Sequence, residues 1–339
     1  MRKKGASWKR VVLTILAVVF GVILALMIGA TIFLNAMLNK IQRVDKVLPT
    51  LSLSEIESIE NETDPDLPEG YEEMDPNDVT MPSEDAELIE NEDHIINILL
   101  IGQDNFGGVR SRSDSMILCT VNTEEKTLLM TSFLRDMYID IPDYNGKSYQ
   151  DNRLNTCYMY GGSGLLCEAL KQNFGVQVDH TIEVDFSRFA SIVNVMGGVG
   201  IELTAAEANH LEDGLVPGYN VLNGSQALAY ARIRALDSDF GRTNRQRKVI
   251  NALLDKTRDM DLNQIKGLID TVFPLVSTDM TNAEIITYAI TFFPILKDLQ
   301  VTSQAIPAQG TYRSAYVRGM AVLLPDYEAN RKILQDTLK

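Results

Sequence analysis

The stretch Ile95-Ile96-Asn97-Ile98-Leu99-Leu100-Ile101 decides the fold class. This apolar run is short and stops at Gly102, a pattern typical of a strand that is buried on both faces of a sheet. Two further strands are predicted at 115–121 and 127–133, joined by a tight hairpin-like connection. Helical patterns then alternate with short apolar runs to the end of the chain. The sequence therefore predicts an α/β fold, with a mixed central sheet flanked by helices.

The later elements are predicted from hydrophobic periodicity and from glycines that end helices. Helices are expected at 165–174, 186–196, 225–231, 244–258 and 327–338, and strands at 199–203 and 299–306. Gly175 and Gly197 follow two of these helices, at the position where a left-handed backbone is common. One domain covering 94–339 can contain all of these elements.

The N-terminal region predicts a membrane anchor. Five basic residues precede 24 uncharged residues at 11–34. As a helix this run would span about 36 Å, slightly more than a hydrocarbon core of about 30 Å. The competing interpretation is a cleavable signal, but its apolar region is usually only about 7–15 residues. We expect a basic cytoplasmic tip at 1–10 and a transmembrane anchor at 11–38. The positive-inside rule then predicts a single-pass cell-membrane protein whose C-terminal domain is extracellular.

Residues 39–93 are predicted to form an acidic extracytoplasmic stem. Between 51 and 93 there are 17 Asp and Glu residues and no Lys or Arg, and the rest of the chain carries a formal charge of +2. The total charge of −15 therefore does not argue against an anionic substrate elsewhere. Apolar residues at 39–60 have helix-like spacing, whereas the proline-containing part after 60 is expected to be irregular or mobile. The three cysteines form neither a disulfide framework nor a zinc motif.

Two aspartates flank a glycine-containing loop after the first strand. Asp104 follows the strand, and Asp114 comes ten residues later. Ligands of open α/β sheets bind beyond the carboxyl ends of the strands, and hard cations prefer oxygen ligands. The pair is therefore a candidate site for Mg²⁺ or Mn²⁺. The alternative is that both aspartates cap local backbone.

Arginines recur at the ends of other elements. Arg135 follows the third strand, where it either faces a site or pairs with Asp136. Arg232 and Arg234 flank Ile233, and in an extended segment this alternation points both guanidiniums to one surface. Because guanidiniums bind phosphate oxygens bidentately, these arginines are candidates for pyrophosphate recognition. A solvated basic edge is the alternative.

A further basic cluster opens the helix predicted to begin near Arg242. Arg242 and Gln246 are four residues apart, so one helix face presents both. The N–H groups at a helix N-terminus favour an anion there. For the neighbouring Arg245, Arg247 and Lys248, the alternative is a basic face exposed to solvent.

The order of these motifs resembles the LytR-CpsA-Psr family over about 94–256. The motifs are G-x-D at 102–104, R-S-D at 112–114, R-D at 135–136, R-L-N at 153–155, L-N-G-x-Q-A-L-A-Y-A-R-I-R at 222–234 and D-F-G-R-x-x-R-Q at 239–246. The resemblance implies a phosphotransferase of the Gram-positive envelope. Such an enzyme moves a glycopolymer, such as teichoic acid or capsular polysaccharide, from an undecaprenyl-pyrophosphate carrier to peptidoglycan.

The resemblance also implies a role for each motif residue. The catalytic residues would be Arg112, Asp114, Arg135, Arg232 and Arg234. The pyrophosphate would be bound by Arg153, Arg242 and Gln246, with Asp239 supporting the site, and Asp104 and Asp114 would hold the metal. Arg153 stands where many relatives carry lysine. The isoprenoid chain would need an apolar groove, for which Phe189, Val193 and Phe273 are possible linings.

Two other classes of function stay open from the sequence. The protein could be a polyprenyl-phosphate-binding sensor or scaffold without turnover, in which case loss of Asp104 or Asp114 would leave its function intact. It could instead regulate transcription, but a domain beyond the membrane cannot contact DNA, so no nucleic-acid partner is expected.

Overall fold

The computed structural model describes residues 35–36, 38–44, 51–64, 66–82, 84–104, 111–211, 214–258 and 260–338. The predicted tip at 1–10, the run at 11–34 and the loop at 105–110 lie outside these residues, so the membrane anchor remains a prediction. Within the described part, every helix is too short or too polar to cross a membrane.

A seven-stranded mixed sheet lies at the centre of the fold. Its strands, listed as they lie side by side, are β1 (Gln42–Arg43), β11 (Ser277–Thr278), β8 (His180–Asp185), β3 (Ile95–Gln103), β4 (Ser113–Asn122), β5 (Thr127–Phe133) and β12 (Gln300–Ile306). Strand β3 pairs in parallel with β8 and antiparallel with β4, and β5 pairs in parallel with β12. The mixed sheet is therefore confirmed.

The remaining strands form three smaller sheets. These are a three-stranded sheet of β2 (Glu72–Met74), β13 (Tyr312–Val317) and β14 (Met320–Pro325), an antiparallel pair of β9 (Val199–Leu203) and β10 (Gly218–Leu222), and a short ladder of β6 (Tyr138–Ile139) and β7 (Asn152–Arg153).

Helices flank the central sheet, as predicted. Those in the described residues are α1 (Leu53–Glu60), α2 (Leu154–Phe174), α3 (Phe186–Val195), α4 (Ala205–Leu211), α5 (Gly224–Arg232), α6 (Asp239–Arg258), α7 (Leu262–Val272), α8 (Asn282–Phe292) and α9 (Tyr327–Thr337). Side chains of α2 and α9 share the main hydrophobic core with β3, β4 and β5. Residues of α6 cover the other face of β4 and β5.

Local chemistry explains where the central strands turn. Strands β4 and β5 pair as an antiparallel hairpin. At its turn, the Asn122 side chain accepts hydrogen bonds from the backbone N–H groups of Glu124 (3.1 Å) and Glu125 (2.8 Å). Lys126 completes the turn with a positive φ of 55°. The predicted connection is thus stabilised by an asparagine that replaces ladder hydrogen bonds.

Helix ends follow the predicted signals more closely than helix starts do. Helix α2 ends at Gly175, whose φ of 73° is left-handed. Gly162 (φ 67°, ψ −158°) is non-helical and divides α2 into two segments, so the predicted helix at 165–174 matches the second segment, and the first segment, from Leu154, was not predicted. Helix α6 likewise begins earlier than predicted, at Asp239.

Part of the acidic stretch is built into the domain. Helix α1 starts with a Ser52–Glu55 capping box and buries Ile56 and Ile59 in the main core. Strand β2 pairs in parallel with β13. The prediction of an irregular second half is therefore wrong at Glu72–Met74. A fragment starting at residue 94 would lose all of these contacts.

Candidate functional site

Three of the predicted motifs meet because of strand direction. Asp104 follows the carboxyl end of β3, and Arg112 and Asp114 lie at the start of β4, which is antiparallel to β3. Arg135 follows β5, which is antiparallel to β4. The end of β3, the start of β4 and the end of β5 therefore lie at the same end of the sheet.

Helix α5 and the residues after it bring two more arginines to this end. Arg232 is the last residue of α5, and Arg234 lies beyond it, so the predicted extended segment is wrong for Arg232. The predicted side-chain arrangement is nevertheless present. Ile233 is 2% exposed, whereas the side chains of Arg232 and Arg234 are about half exposed. The Arg232 guanidinium lies 4.7 Å from the centre of the Phe186 ring.

These motifs surround one cleft of about 530 Å³. The predicted residues that line it are Asp104, Arg112, Asp114, Arg135, Arg232, Arg234, Arg242 and Gln246. Sequence reasoning did not identify the other lining residues, which are Glu62, Ser111, Asn155, Met159 and Phe186. The predicted Arg153 and Asp239 do not line the cleft. Arg153 contacts Asp136 beside the cleft, and Asp239 contacts Arg242, which lines it.

Ion pairs connect the cleft's charged residues. Asp114 accepts a 2.5 Å hydrogen bond from Nη1 of Arg135 and lies 3.5 Å from Nη2 of Arg234. Asp104 lies 3.5 Å from Nη2 of Arg232. Each carboxylate thus holds at least one arginine at the edge of the cleft.

The Asp104–Asp114 pair suits a divalent cation. Partial burial raises the pKa of Asp104, and the negative charge of Asp114 raises it further, with a hydrogen bond between the two carboxyl groups. Two acidic groups that compete for one proton can instead share a hard cation. No cluster of three or more metal-binding side chains occurs in the described part of the chain. The pair could hold Mg²⁺, which commonly keeps waters or substrate oxygens as its other ligands.

Arg242 is the most unusual of the cleft arginines. It is 2% exposed, and its Nη1 lies 3.0 Å from Asp239. None of its three guanidinium nitrogens makes a hydrogen bond to any residue that the structure describes. Burial lowers the pKa of Arg242. A buried cation with unsatisfied donors, on the wall of a cleft, is the arrangement that an anionic ligand would complete.

Arg242 and Gln246 lie on one face of α6, as predicted, but the prediction for the neighbouring basic residues is wrong in part. Gln246 lines the cleft and accepts a 3.0 Å hydrogen bond from the Ser115 hydroxyl. Arg245 and Arg247 are 4% and 8% exposed, so the basic solvent face is wrong for both. Lys248 is exposed.

A second carboxyl pair lies beside the cleft. Nε of Arg135 lies 3.3 Å from Asp136, and Asp136 shares a hydrogen bond with Asp239. Burial raises the pKa of Asp136 against the opposing charge of Arg135. Burial also acts to raise the pKa of Asp239, but the hydrogen bond from Asp136 and the charge of Arg242 leave it lowered. The two shifts are opposite, so Asp136 is the more easily protonated of the two carboxyl groups.

Two residues of the acidic stretch reach the cleft arginines. Glu62 forms a bidentate ion pair with Arg112, and Asp64 pairs with Arg153. Arg153 also donates a 3.1 Å hydrogen bond to the Ala321 carbonyl. No local motif marks Glu62 or Asp64 in the sequence. The helix-like spacing of Ile56 and Ile59 was the only signal that this segment is folded.

An apolar pocket of about 240 Å³ adjoins the cleft. The two cavities share Phe186, Arg232 and Gln246. Carbon-rich side chains line the rest of the pocket, among them Ile117, Val184, Phe189, Ile192, Leu228, Ile250 and Leu253. Of the suggested lining residues, Phe189 is present. Val193 is fully buried in a core cluster, and Phe273 is not among the described lining residues.

Comparisons with known proteins place this geometry among its relatives. The chain is 38% identical over 170 residues to the polyisoprenyl-teichoic acid–peptidoglycan teichoic acid transferase TagU of Bacillus licheniformis, covering 50% of this chain and 54% of TagU. It is 29% identical over 252 residues to the regulatory protein MsrR of Staphylococcus aureus, covering 72% and 74% of the two chains. The chain therefore spans only about half the length of the TagU protein that it matches.

Solved structures share the fold. A structure of TagT bound to LI-WTA matches with a TM-score of 0.59 and 25% identity, over 76% of this chain and 95% of TagT. The protein gbs0355 of Streptococcus agalactiae matches with a TM-score of 0.61 and 24% identity, over 72% and 88% of the two chains.

A family model covers most of the described domain. The model of the LytR_cpsA_psr family matches residues 69–337, which begins inside the acidic stretch, just before β2, and ends with α9. This match includes every predicted site residue. The chain therefore belongs to the LytR-CpsA-Psr family.

Proposed function

We propose that this chain is a phosphotransferase that moves a glycopolymer from an undecaprenyl-pyrophosphate carrier to peptidoglycan. The observation that carries the proposal is the junction of two unlike cavities. An arginine-rich cleft and an apolar pocket share Phe186, Arg232 and Gln246. A lipid-linked pyrophosphate has the same two parts in the same order, an anion attached directly to an isoprenoid chain.

The apolar pocket supports binding of the first isoprene units. Each CH₂ group removed from water contributes about 0.8 kcal/mol. Phe189 and Leu253 offer such a surface, and Arg232 lies at the boundary with the cleft. The pocket would therefore orient the lipid end of the substrate, and the arginines of the cleft would bind its phosphates.

The cleft supports binding of the pyrophosphate. Arg242 offers buried N–H donors without hydrogen-bond partners among the described residues. Arg232 and Arg234 have half-exposed guanidiniums. Guanidiniums fixed by ion pairs stabilise charge as it develops, because they need little reorganisation during the reaction.

In the proposed reaction, a sugar hydroxyl of the acceptor attacks the phosphorus bonded to the glycopolymer and forms a new O–P bond. The phosphoanhydride bond breaks, the lipid phosphate leaves with the bonding electron pair, and the hydroxyl proton is released to solvent. The arginines offset charge on the non-bridging and leaving oxygens, as is general in phosphoryl transfer. Asp104 and Asp114 would hold Mg²⁺ or Mn²⁺, which supplies further positive charge to the phosphate oxygens when bound. Arg135 orients Asp114 through its 2.5 Å hydrogen bond.

The names of relatives support the choice of polymer and acceptor. TagU is named a teichoic acid transferase with peptidoglycan as its partner, and TagT has been solved with LI-WTA. We propose the same class of glycopolymer here. We also propose a single-pass membrane location with the domain outside the cell, on the basis of the uncharged run at 11–34 and the basic residues before it.

The test uses the full chain in detergent micelles. It would be incubated with a synthetic lipid-pyrophosphate-linked sugar, peptidoglycan oligomers and Mg²⁺, and the coupled product would be measured by mass spectrometry. We expect product in the wild type, and loss of product with EDTA and with Arg112→Ala, Arg232→Ala or Arg234→Ala. Arg313→Ala is the matched control, because this exposed arginine lies on β13, outside the cleft.

Two results would contradict the proposal. Product formation at wild-type rates in Arg232→Ala and Arg234→Ala would exclude the assigned cleft. Retention of the lipid without any product would favour the sensor or scaffold function.

A further inference from the structure

We propose that Glu62 sets the affinity of the cleft for pyrophosphate, because it occupies Arg112 until the phosphate displaces it. This inference rests on the proposed function, in which Arg112 binds the donor. It assigns a role in the cleft to a residue of the acidic stretch.

The contact between Glu62 and Arg112 uses the edge that a phosphate would use. Nη1 of Arg112 donates to Oε1 of Glu62 at 3.0 Å, and Nη2 donates to Oε2 at 2.6 Å. Two parallel N–H···O bonds to two oxygens of one anion are also how guanidiniums bind phosphate. The remaining nitrogen, Nε, is buried and has no hydrogen-bond partner among the described residues. A phosphate can therefore bind this fork only when Glu62 has left it.

The chain on both sides of Glu62 is fixed to the domain. Before it, Ile56 and Ile59 of α1 are buried in the main core. After it, the Asp64 carboxylate accepts a 2.7 Å hydrogen bond from the Ala321 N–H, and the Asp64 carbonyl accepts one from the Tyr316 hydroxyl at 2.9 Å. Glu62 is thus held at the cleft by two attachments, and its carboxylate has a high local concentration there.

Another anion can nevertheless replace the side chain of Glu62 on Arg112. The Glu62 side chain is 52% exposed, whereas that of Arg112 is 24% exposed. Ion pairs between partly exposed side chains are weak, so another anion can replace one partner at little cost. By contrast, the side chain of Asp64 is 33% exposed, and its carboxylate is bonded to both Arg153 and a backbone N–H.

Charge balance supports displacement rather than co-binding. Among the described residues, six arginines and four aspartates belong to the cleft and its margin: Arg112, Arg135, Arg153, Arg232, Arg234 and Arg242, with Asp104, Asp114, Asp136 and Asp239. Glu62 and Asp64 add two negative charges, which makes the numbers equal. A pyrophosphate diester also carries two negative charges. Without a bound cation, its arrival is therefore least costly when a carboxylate leaves the arginines at the same time.

The experiment measures binding of inorganic pyrophosphate to the full chain in detergent by titration calorimetry. We expect Glu62→Gln to bind pyrophosphate roughly two- to five-fold more tightly than the wild type, in line with the modest strength of partly exposed ion pairs. Glu57→Gln is the matched control. It removes one exposed carboxylate from α1, which precedes Glu62, and its affinity should equal that of the wild type.

A double-mutant cycle identifies the partner. Arg112→Ala should weaken binding, and adding Glu62→Gln to it should have no further effect, because the occupied fork is gone. Equal or weaker binding by Glu62→Gln, while Arg112→Ala still loses affinity, would overturn the role of Glu62 and leave the proposed function standing. No binding by either the wild type or Glu62→Gln would overturn both.

Discussion

Arg242 and Arg245 lie one turn apart on α6, both almost completely buried, yet their surroundings are opposite. Arg245 donates to Glu207 at 2.8 Å, to both carboxylate oxygens of Asp237 and to the Ile233 carbonyl at 3.1 Å. We call this group the satisfied cluster. Arg242 has Asp239 at 3.0 Å but makes no hydrogen bond to a described residue.

The difference separates an arginine that stabilises the fold from one whose N–H donors are available to a ligand. A buried charge is costly unless it is paired and hydrogen-bonded. The satisfied cluster meets this requirement within the protein. At Arg242 the protein leaves the requirement unmet, and such local instability is typical of functional sites. Burial alone therefore does not distinguish the two roles, but hydrogen-bond saturation does.

The largest expected effect is on stability at the satisfied cluster. Arg245→Ala should lower the free energy of unfolding by about 3–5 kcal/mol, because it leaves Glu207 buried without its cation. Urea unfolding of the variant and the wild type measures this difference. Lys248→Ala, an exposed change on the same helix, should leave the unfolding midpoint unchanged. Equal unfolding midpoints for Arg245→Ala and Lys248→Ala would remove the distinction between the satisfied cluster and Arg242.

The next effect is on activity, at Arg242. Arg242→Ala should reduce the transfer rate by about 10²–10³, which corresponds to about 2.7–4 kcal/mol of transition-state stabilisation. The free energy of unfolding should fall less than in Arg245→Ala, because Arg242 makes no hydrogen bond to a described residue and loses only its ion pair with Asp239. Rate measurement and urea unfolding on the same preparation test both parts. A strongly destabilised Arg242→Ala would show that Arg242 supports the fold.

A smaller effect concerns the pH dependence of stability. Burial acts to raise the pKa of Glu207, but the hydrogen bonds from the Thr204 backbone and from Arg245 leave it lowered. A carboxyl group of this kind contributes stability above its unfolded pKa of 4.5, and the contribution is lost as the pH falls through the lower folded pKa. As the pH falls, the free energy of unfolding should therefore decrease less steeply in Glu207→Gln than in the wild type. Thermal unfolding between pH 3 and pH 6 checks this, with the exposed Glu202→Gln as the variant that should behave as the wild type.

The smallest expected effect is at Arg153, which is intermediate between the two cases. It pairs with Asp64 and donates to the Ala321 carbonyl from Nε, so its hydrogen bonds join the acidic stretch to β14. Arg153→Lys keeps the charge but cannot make both contacts, and about 1 kcal/mol of stability should be lost. Urea unfolding measures the loss. A lysine variant as stable as the wild type would mean that the charge alone matters at this position.

The sequence predicted which charged residues lie together at the cleft better than it predicted the packing around them. The motifs at Asp104, Asp114 and Arg135 could be placed together because strand direction brings the end of β3, the start of β4 and the end of β5 to one end of the sheet. Each of these strands has an apolar run that stops at a recognisable residue. Local patterns were therefore sufficient for this part.

What could not be predicted depends on contacts between distant parts of the chain. Arg245 is buried because Glu207 and Asp237 reach it from α4 and from the loop before α6, and no spacing within α6 reveals this. Glu62 belongs to a stretch whose acidic composition is typical of a linker, although Ile56 and Ile59 anchor it in the core. Composition describes a segment on average and does not show which few of its residues are buried in the core.

The short strand β1 determines from which side the chain enters the domain. Gln42 pairs in parallel with Ser277 of β11, and β11 is antiparallel to β8, which is parallel to β3. Strand β1 therefore runs opposite to β3 and starts at the end of the sheet where the cleft opens, three strand spacings or about 14 Å from β3. With the predicted anchor just before β1, the cleft would face the bilayer. Under the proposed function, a lipid-linked donor would then reach the cleft by lateral diffusion in two dimensions.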